Sequence, residues 1–304
     1  MGSLTGIRLS NHDVTVAAVK RGAGARPELV AFRSAEVTDG DVALALRELL
    51  KASGLERSSC SVILGSDEYQ LLMVEAPEVG NNELRAAMRW RVRELIDFHI
   101  DDAVLDIFQV PRGATANPHQ MLFVVACRSA VIAEYVAAAE KSGCRLKVID
   151  VTELALRNIA SLLEEDVSGV AMLHLEPDFG VITVTQQGTL YLSRQISLGY
   201  RQLVGLEGQA DLEFQLDNFV LEVQRSLDYY ERQFGQPPVR ALYLTPLPTR
   251  VPAIDAYVDS QIGIPVKPLD LNRLLSIDEP LGADDQARAL LPIGASLRLE
   301  QEEA

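Results

Sequence analysis

The sequence predicts a two-lobed α/β protein whose two halves share one plan. In the stretch 169–196, three short runs rich in β-branched and aromatic residues are separated by Glu176-Pro177-Asp178 and by Gln187-Gly188, which indicates three strands. A stretch with helical spacing of its apolar residues, 212–234, follows them. The same order of patterns begins at Gly6, about 160 residues earlier. These observations predict two mixed sheets, each flanked by helices.

The first half reads as three strands, a helix and a fourth strand. Gly22-Ala23-Gly24 is assigned to a turn, because glycine tolerates positive φ. Asp39 or Asp41 caps the helix and Gly54 ends it. The four predicted strands cover 6–10, 13–20, 29–37 and 61–64.

The second half repeats this order and continues it with a helix and a strand. Its predicted elements are strands at 170–175, 180–185 and 189–196, a helix at 212–234, a strand at 241–244, a helix at 253–260 and a strand at 264–267. Two halves that share the order βββαβ are therefore expected.

An additional block with an αββαβ pattern separates the halves. It is predicted to contain a helix at 83–98 that Asn82 opens, strands at 104–110 and 120–127, a helix from Ser129 that Gly143 stops, and a strand at 145–149. A helix capped by Thr152 leads to the second lobe. We expect a first lobe at 1–165, with a core of 1–77 and 150–165 and an inserted subdomain at 78–149, and a second lobe at 166–304.

The amino-acid composition and net charge argue against some classes of function. The chain has 304 residues, 48% of them hydrophobic and 23% charged, which is typical of a globular protein. A formal net charge of −15 argues against nucleic-acid binding, which needs a basic face. Neither a signal peptide nor an apolar run of spanning length is present, so a cytoplasmic protein without direct membrane insertion is expected.

Cysteine and histidine usage indicates neither a metal site nor a cofactor. The three cysteines, Cys60, Cys127 and Cys144, are far apart and are interpreted as small buried side chains in a reducing compartment. The four histidines are isolated in sequence, and no P-loop or nucleophile elbow is found. We therefore predict no catalytic residue, no metal and no cofactor.

Several stretches, in this order, resemble the PilM family of type IV pilus assembly proteins. They are Gly6-Ile7, Ala76-Pro77 with Asn82-Glu83-Leu84 and 91–98, Val148-Ile149-Asp150-Val151, 222–230, and 292–298. The resemblance implies the two-lobed actin-like (ASKHA) fold shared with actin, Hsp70 and sugar kinases, in its FtsA and PilM variant with duplicated βββαβαβ halves. Within the family, the sequence resembles the MshI-like proteins of MSHA-type pili.

The resemblance also implies where a nucleotide would bind, and those positions have lost its chemistry. The superfamily places an Asp and a Gly in each of two phosphate hairpins. Here Arg8 and Ser10 stand in the first hairpin, and His174 and Glu176 stand in the second. The adenosine motif has no glycine and contains Pro246 instead. ATP hydrolysis is therefore not expected.

Two alternatives for these loops stay open. Arg8 with His12 could bind an anion, although such cations more often form a solvated or ion-paired surface. Asp13 or Asp178 could be a shifted metal ligand, although aspartates between strands are usually turn formers.

The predicted helix at 83–98 carries the candidate partner-binding residues. Arg85, Arg89 and Arg93 form a stripe at intervals of four, and Trp90 lies off the apolar face that Leu84, Met88, Val92 and Leu95 form. An exposed tryptophan beside arginines is a good partner anchor. The alternative is that Trp90 packs under a loop and the arginines pair with nearby acids.

The resemblance implies a non-enzymatic scaffold, peripheral to the inner-membrane pilus platform. Its partner would be an inner-membrane PilN-like protein, whose cytoplasmic N-terminal peptide would lie in a groove built from 61–77 and 83–149. The cytoplasmic assembly ATPase is a further candidate partner. Alternatives are an ATP-binding actin-like protein with divergent loops and the cytoplasmic domain of a GspL-like type II secretion platform protein. FtsA-like membrane tethering needs a basic amphipathic tail, and this sequence ends in an acidic one.

Overall fold

The computed structural model describes residues 4–22, 26–111, 120–204, 210–249 and 254–298. In chain order, the first part contains β1 (Thr5–Leu9), β2 (Asp13–Lys20), β3 (Glu28–Glu36), α1 (Val42–Ala52), β4 (Ser59–Ile63), β5 (Tyr69–Glu75), α2 (Asn81–Val92), β6 (Ala103–Gln109), β7 (Met121–Arg128), α3 (Ser129–Ser142), β8 (Arg145–Asp150) and α4 (Thr152–Ala160). The second part contains β9 (Val170–Leu175), β10 (Gly180–Gln186), β11 (Thr189–Ile196), α5 (Tyr200–Leu203), α6 (Ala210–Phe234), β12 (Leu242–Leu244), α7 (Ile254–Ile262), β13 (Val266–Pro268), α8 (Leu271–Leu274) and α9 (Ala283–Ser296).

Two five-stranded sheets with the same topology confirm the duplicated plan. The first sheet has the order β3-β2-β1-β4-β8 and the second has the order β11-β10-β9-β12-β13. In each sheet the first three strands are antiparallel and the last two join in parallel. With α1 and α3 in the first half, and α6 and α7 in the second, both halves are βββαβαβ.

A smaller antiparallel sheet, with the order β5-β7-β6, is inserted after β4. Helix α2 covers one face of this sheet, where Met88 and Val92 pack against Leu122 and Val124. The insert thus consists of β5, α2, β6 and β7.

The secondary structure elements of the insert differ from the predicted αββαβ block at its start and at its end. Strand β5 was not predicted, because its side chains are nearly all half-buried and its sequence lacks a clear alternation. The predicted final strand, β8, pairs with β4 in the main sheet of the first lobe. The helix before it, α3, buries Tyr135 in the same core cluster as Leu46 of α1.

Helix α2 is also shorter than the predicted helix at 83–98. It follows Gly80 and ends at Val92, after which the amides of Leu95 and Ile96 both bond to the carbonyl of Val92 in a turn. The turn buries Ile96 beside Ala126 and leaves Leu95 53% exposed. The prediction that Leu95 shares the apolar face with Met88 and Val92 is therefore wrong.

The predicted helix ends at Asp41, Gly54 and Gly143 are confirmed, whereas the predicted cap at Thr152 is wrong, because Thr152 is the first residue of α4 and Val151 is the N-cap. The carboxylate of Asp41 accepts a hydrogen bond from the amide of Leu44 and caps α1. Gly54 and Gly143 have φ values of 67° and 79° after α1 and α3, in the region that favours glycine. The predicted turn at Gly22-Ala23-Gly24 includes residues outside the described ranges.

The C-terminal helix α9 was not predicted, because Pro292 and Gly294 lie inside it. It packs on α4 and on β1 and β2 of the first lobe, although the predicted second lobe extends to 304. A Cβ on Gly6 would lie 1.8 Å from the carbonyl oxygen of Pro292, and one on Gly294 would lie 2.4 Å from that of Ala155. Both positions therefore require glycine.

Side-chain bonds extend this contact. The hydroxyl of Ser296 accepts from the amide of Val19 and donates to the carbonyl of Leu4, both at 2.7 Å. Arg298 pairs with the buried carboxylate of Asp150 at 2.9 Å. Helix α9 thus fastens the end of the described chain to the first lobe.

In the part of the chain that the structure describes, no helix has both the length and the apolar character needed to cross a bilayer.

Replacing Gly6 with alanine tests the contact between β1 and α9. The added methyl group would overlap the Pro292 carbonyl, and both groups belong to the backbone, so we expect Gly6→Ala to lower the free energy of unfolding by roughly 3 kcal/mol. Urea unfolding followed by circular dichroism measures this loss. The control is Gly282→Ala, because a Cβ on Gly282 meets nothing within 4 Å. Equal unfolding midpoints for the two variants would contradict the proposed fit.

Candidate functional site: the cleft between the lobes

A cavity of about 600 Å³ lies between the lobes, beside the tips of two equivalent hairpins. The β1–β2 tip contributes residues 8–12, and the β9–β10 tip contributes residues 176–179. The loop after β4, with Ser66 and Glu68, and one face of α3, with Tyr135 and Ala138, form the remaining wall. Five of the residues singled out from the sequence thus line one space: Arg8, Ser10, His12, Glu176 and Asp178.

The first hairpin tip is closed by its own serine. The Ser10 hydroxyl accepts from the amide of Asp13 at 2.9 Å and from the amide of His12 at 3.2 Å. It also donates to the side chain and the carbonyl oxygen of Asp13. Since these amides already have an acceptor, they are not free to bind an anion.

The second hairpin tip is held against the start of α5. The amide of Glu176 bonds to the carbonyl of Phe179 across the turn, and the amides of Tyr200 and Arg201 bond to the carbonyls of Glu176 and Pro177. The Arg201 side chain pairs with Asp178 at 3.1 Å. The turn is therefore fixed from both sides, and so is the direction of the Glu176 side chain.

Glu176 joins the two lobes. Its Oε1 accepts a hydrogen bond from the hydroxyl of Ser66 at 2.8 Å, and its Oε2 lies 3.5 Å from Nη2 of Arg8. Ser66 also contacts the hydroxyl of Thr152 at 3.2 Å, at the start of α4. The glutamate belongs to the second lobe and its two partners, Ser66 and Arg8, belong to the first, so one carboxylate connects the elements on both sides of the cleft.

His174 supports the carboxylate from within the second lobe. Its Nδ1 lies 2.9 Å from the hydroxyl of Thr245, and its Nε2 lies 3.4 Å from Oε1 of Glu176. Because His174 is 94% buried and faces Thr245 and Glu176, it is a packed polar group. The tertiary structure thus gives His174 a packing role beside Glu176.

The carboxyl group of Glu176 is ionised although it is only 7% exposed. Burial by itself would raise its pKa, but the hydrogen bond and charge of His174, the charge of Arg8 and the hydrogen bond of Ser66 outweigh burial and lower the pKa to about 2. The Glu176 carboxylate therefore occupies an anion-binding position, and its partners compensate its charge.

A second buried acid lies next to this position, on α4. Glu153 accepts a hydrogen bond from Tyr69 of β5 at 2.5 Å, and the same hydroxyl accepts from the amide of Thr152. Burial raises the pKa of Glu153, more than its hydrogen bonds with Tyr69 and with Ser193 of β11 lower it. Helix α4 therefore contacts the insert and the second lobe through one side chain.

The remaining predicted nucleotide positions lie apart from the cavity or have partners. The half-buried Pro246 follows β12 and does not line the cavity. Ser10 donates a hydrogen bond to the Asp13 carboxylate, and Arg201 forms an ion pair with the Asp178 carboxylate. These contacts favour structural roles for both aspartates over roles as metal ligands. Across the described residues, no group of three or more His, Cys, Asp or Glu side chains is arranged to hold a metal ion.

The candidate partner-binding residues lie on the outer surface of α2, away from the cleft. Trp90 is 73% exposed, and the guanidinium carbon of Arg93 lies 5.8 Å from the centroid of its ring. Arg89 instead bonds to the carbonyls of Ile100 and Ala103, which is a structural role. Arg85 makes an exposed pair with Asp106 at 3.8 Å. Of the three arginines in the stripe, Arg89 has a structural role, Arg85 forms an exposed ion pair, and Arg93 lies beside the exposed ring of Trp90.

Sequence reasoning missed Ser66, Thr152 and Tyr135, which complete the site. Ser66 follows a predicted strand and Thr152 was interpreted only as a helix cap, so neither carried a signal for the contacts of Ser66 with Glu176 and with Thr152. Ser66 and Glu176 are 110 positions apart, so their contact can be recognised only when the packing of the two lobes is known.

Comparison with solved structures shows the fold. A chain of the "PilM-PilN type IV pilus biogenesis complex" aligns with a TM-score of 0.71 at 18% identity, over 96% of this chain and 98% of that chain. The cytoplasmic domain of EpsL, an inner-membrane component of the type II secretion system of Vibrio cholerae, aligns with a TM-score of 0.50 at 14% identity, over 95% and 94% of the two chains. Both likenesses confirm the predicted actin-like architecture.

Comparison at the level of sequence shows the family. A search of curated proteins finds no match. The family model described as "Type IV pilus assembly protein PilM" matches residues 30–205, which is more than half of the chain. This match covers the inserted subdomain, the segment Val148–Val151 and the β9–β10 hairpin, which together carry much of the cleft described above. The chain therefore belongs to the type IV pilus assembly protein PilM family.

Proposed function

We propose that this protein is a non-enzymatic scaffold of a type IV pilus assembly platform. The observation that carries this proposal is Glu176: an ionised, buried carboxylate fills the position between the hairpin tips and is bound by both lobes. A phosphate in that position would meet a negative charge at close range, where the electrostatic cost is large. The closed β1–β2 tip adds to this cost, because Ser10 occupies its amides.

The partner we propose is an inner-membrane PilN-like protein that binds through its cytoplasmic N-terminal peptide. Support comes from the family and from the likeness to a chain of a solved PilM–PilN complex. The cavity wall made by Gly65, Ser66, Tyr135 and Ala138 lies within the two stretches, 61–77 and 83–149, that we assign to the peptide groove. We therefore place the peptide against this wall.

The protein would act on the cytoplasmic face of the inner membrane and would link the platform to the assembly ATPase. Assignment to an MSHA-type pilus, as an MshI-like protein, rests on the sequence resemblance and belongs to the same proposal.

A second candidate is the cytoplasmic domain of a type II secretion platform protein of GspL type. The likeness to the cytoplasmic domain of EpsL favours it, but at a lower TM-score than the likeness to the PilM–PilN complex. Binding to the peptide of a PilN-like protein encoded beside this chain separates the two candidates.

Filling the cavity wall tests where the peptide binds. Ala138 lines the cavity and Ala133 is an exposed alanine of the same helix that does not line it. We expect Ala138→Trp to weaken binding of the synthetic N-terminal peptide by about tenfold or more, because the indole occupies the space that the peptide needs. Fluorescence anisotropy measures the affinity, with Ala133→Trp as the matched control. Unchanged affinity in Ala138→Trp would place the peptide elsewhere.

Truncating Trp90 tests the outer surface of α2 as a second contact. If Trp90 and Arg93 anchor the platform partner or the assembly ATPase, Trp90→Ala should reduce capture of that partner by about tenfold, as expected for an interface hot spot. Phe214→Ala is the matched control, because Phe214 is also an exposed aromatic on a helix, at 68% exposure. A pull-down in which both variants retain full capture would reject this surface.

Calorimetric titration with magnesium and ATP tests the absence of nucleotide chemistry. We expect no saturable heat at nucleotide concentrations up to about 1 mM, because Glu176 fills the phosphate position. Saturable binding in the micromolar range would contradict the scaffold proposal and favour an ATP-binding actin-like protein with divergent loops.

A further inference from the structure

The groups around Glu176 form a complete anion-binding site. The hydroxyl of Ser66 and the guanidinium of Arg8 approach from one side, and the imidazole of His174 lies 3.4 Å away on the other. Charged and hydroxyl donors of this kind bind carboxylate and phosphate oxygens equally well. The donor set therefore suits an anion in general, and it does not by itself require a side chain of the protein.

We propose that Glu176 is a built-in ligand of this site, which takes the place of an external phosphate and holds the two lobes together. This inference rests on the proposed function, because in a cleft without nucleotide the position between the hairpin tips is left to a side chain of the protein. Both carboxylate oxygens have partners, and the turn that carries the glutamate is bonded to Phe179 and Tyr200. The turn that carries the ligand is therefore held within its own lobe, and binding of the side chain needs little further ordering.

Burial explains why the contact is selective. A buried carboxylate is tolerated only when partners compensate its charge, and the Glu176 side chain is 8% exposed. An external anion would have to displace this side chain from the same donors while remaining next to its negative charge. The site is thus closed to free anions as long as Glu176 is present.

Removing the side chain should open the site, because the 600 Å³ cavity adjoins Glu176 and Arg8 and connects them with an accessible space. In Glu176→Ala the donors of Arg8, Ser66 and His174 remain but lose their acceptor. We expect the thermal unfolding midpoint to fall by about 5 °C or more. Adding about 50 mM inorganic phosphate should then restore roughly half of this loss, because a ligand that binds only the folded state stabilises it.

Three controls define the result. Sodium chloride at matched ionic strength should not stabilise Glu176→Ala as phosphate does, since screening alone is not site binding. Wild-type protein should shift little in phosphate. Asp178→Ala removes an exposed carboxylate from the same turn, whose partner is Arg201, and should not gain a response to phosphate. Equal responses of Asp178→Ala and Glu176→Ala would overturn the proposal.

Glu176→Gln provides a second variant if the alanine variant does not fold. The amide retains the shape and can accept from Ser66, but it carries no charge for Arg8. We expect a lower unfolding midpoint than in the wild type and no response to phosphate, because the side chain still fills the site. A midpoint equal to that of the wild type would overturn the proposal. These unfolding measurements are made without a partner peptide. Their outcome therefore tests the role of Glu176 separately from the scaffold function.

Discussion

The close packing of α9 on β1 is the constraint on which the two-lobed arrangement depends. The carbonyl of Pro292 reaches the position where a side chain of Gly6 would begin, and Gly294 meets the backbone of Ala155 in the same way. Backbone groups cannot move aside as flexible side chains can, so each contact accepts only glycine. Helix α9 leaves the second lobe and is fastened to the first by these contacts, and Arg298 adds a pair with the buried Asp150.

Three of the sequence stretches that carry the resemblance meet at this contact. Gly6-Ile7, Val148-Ile149-Asp150-Val151 and the segment 292–298 are distant in sequence, but the structure brings them together where α9 crosses the first sheet. These stretches therefore pack against one another where α9 meets the first lobe. They lie apart from the hairpin tips, where Arg8, Ser10, His174 and Glu176 form their own set of hydrogen bonds and ion pairs.

The α9 contact and the Glu176 contact have different structural roles. The α9 contact fixes how the lobes join, and the Glu176 contact acts across the open side of the cleft. A buried ionised group contributes little net stability but is costly to leave without partners, so it favours one arrangement of the lobes over others. A protein that presents a groove to a partner gains from a fixed arrangement, since a preorganised surface loses less entropy on binding.

The sequence by itself determined the repeated βββαβ order and the end of α3 at Gly143, because periodicity and local backbone preference depend on neighbouring residues. It left open whether Asp39 or Asp41 caps α1 and whether Trp90 is exposed, and the fold decided both. Only the tertiary structure decided that β8 belongs to the main sheet, that α2 stops at Val92, and that α9 is a helix despite Pro292. It also decided the partner of Glu176. From the sequence, this glutamate is a charge in the wrong place for a phosphate; the fold supplies Ser66 from 110 positions away and turns the charge into a bond between the lobes.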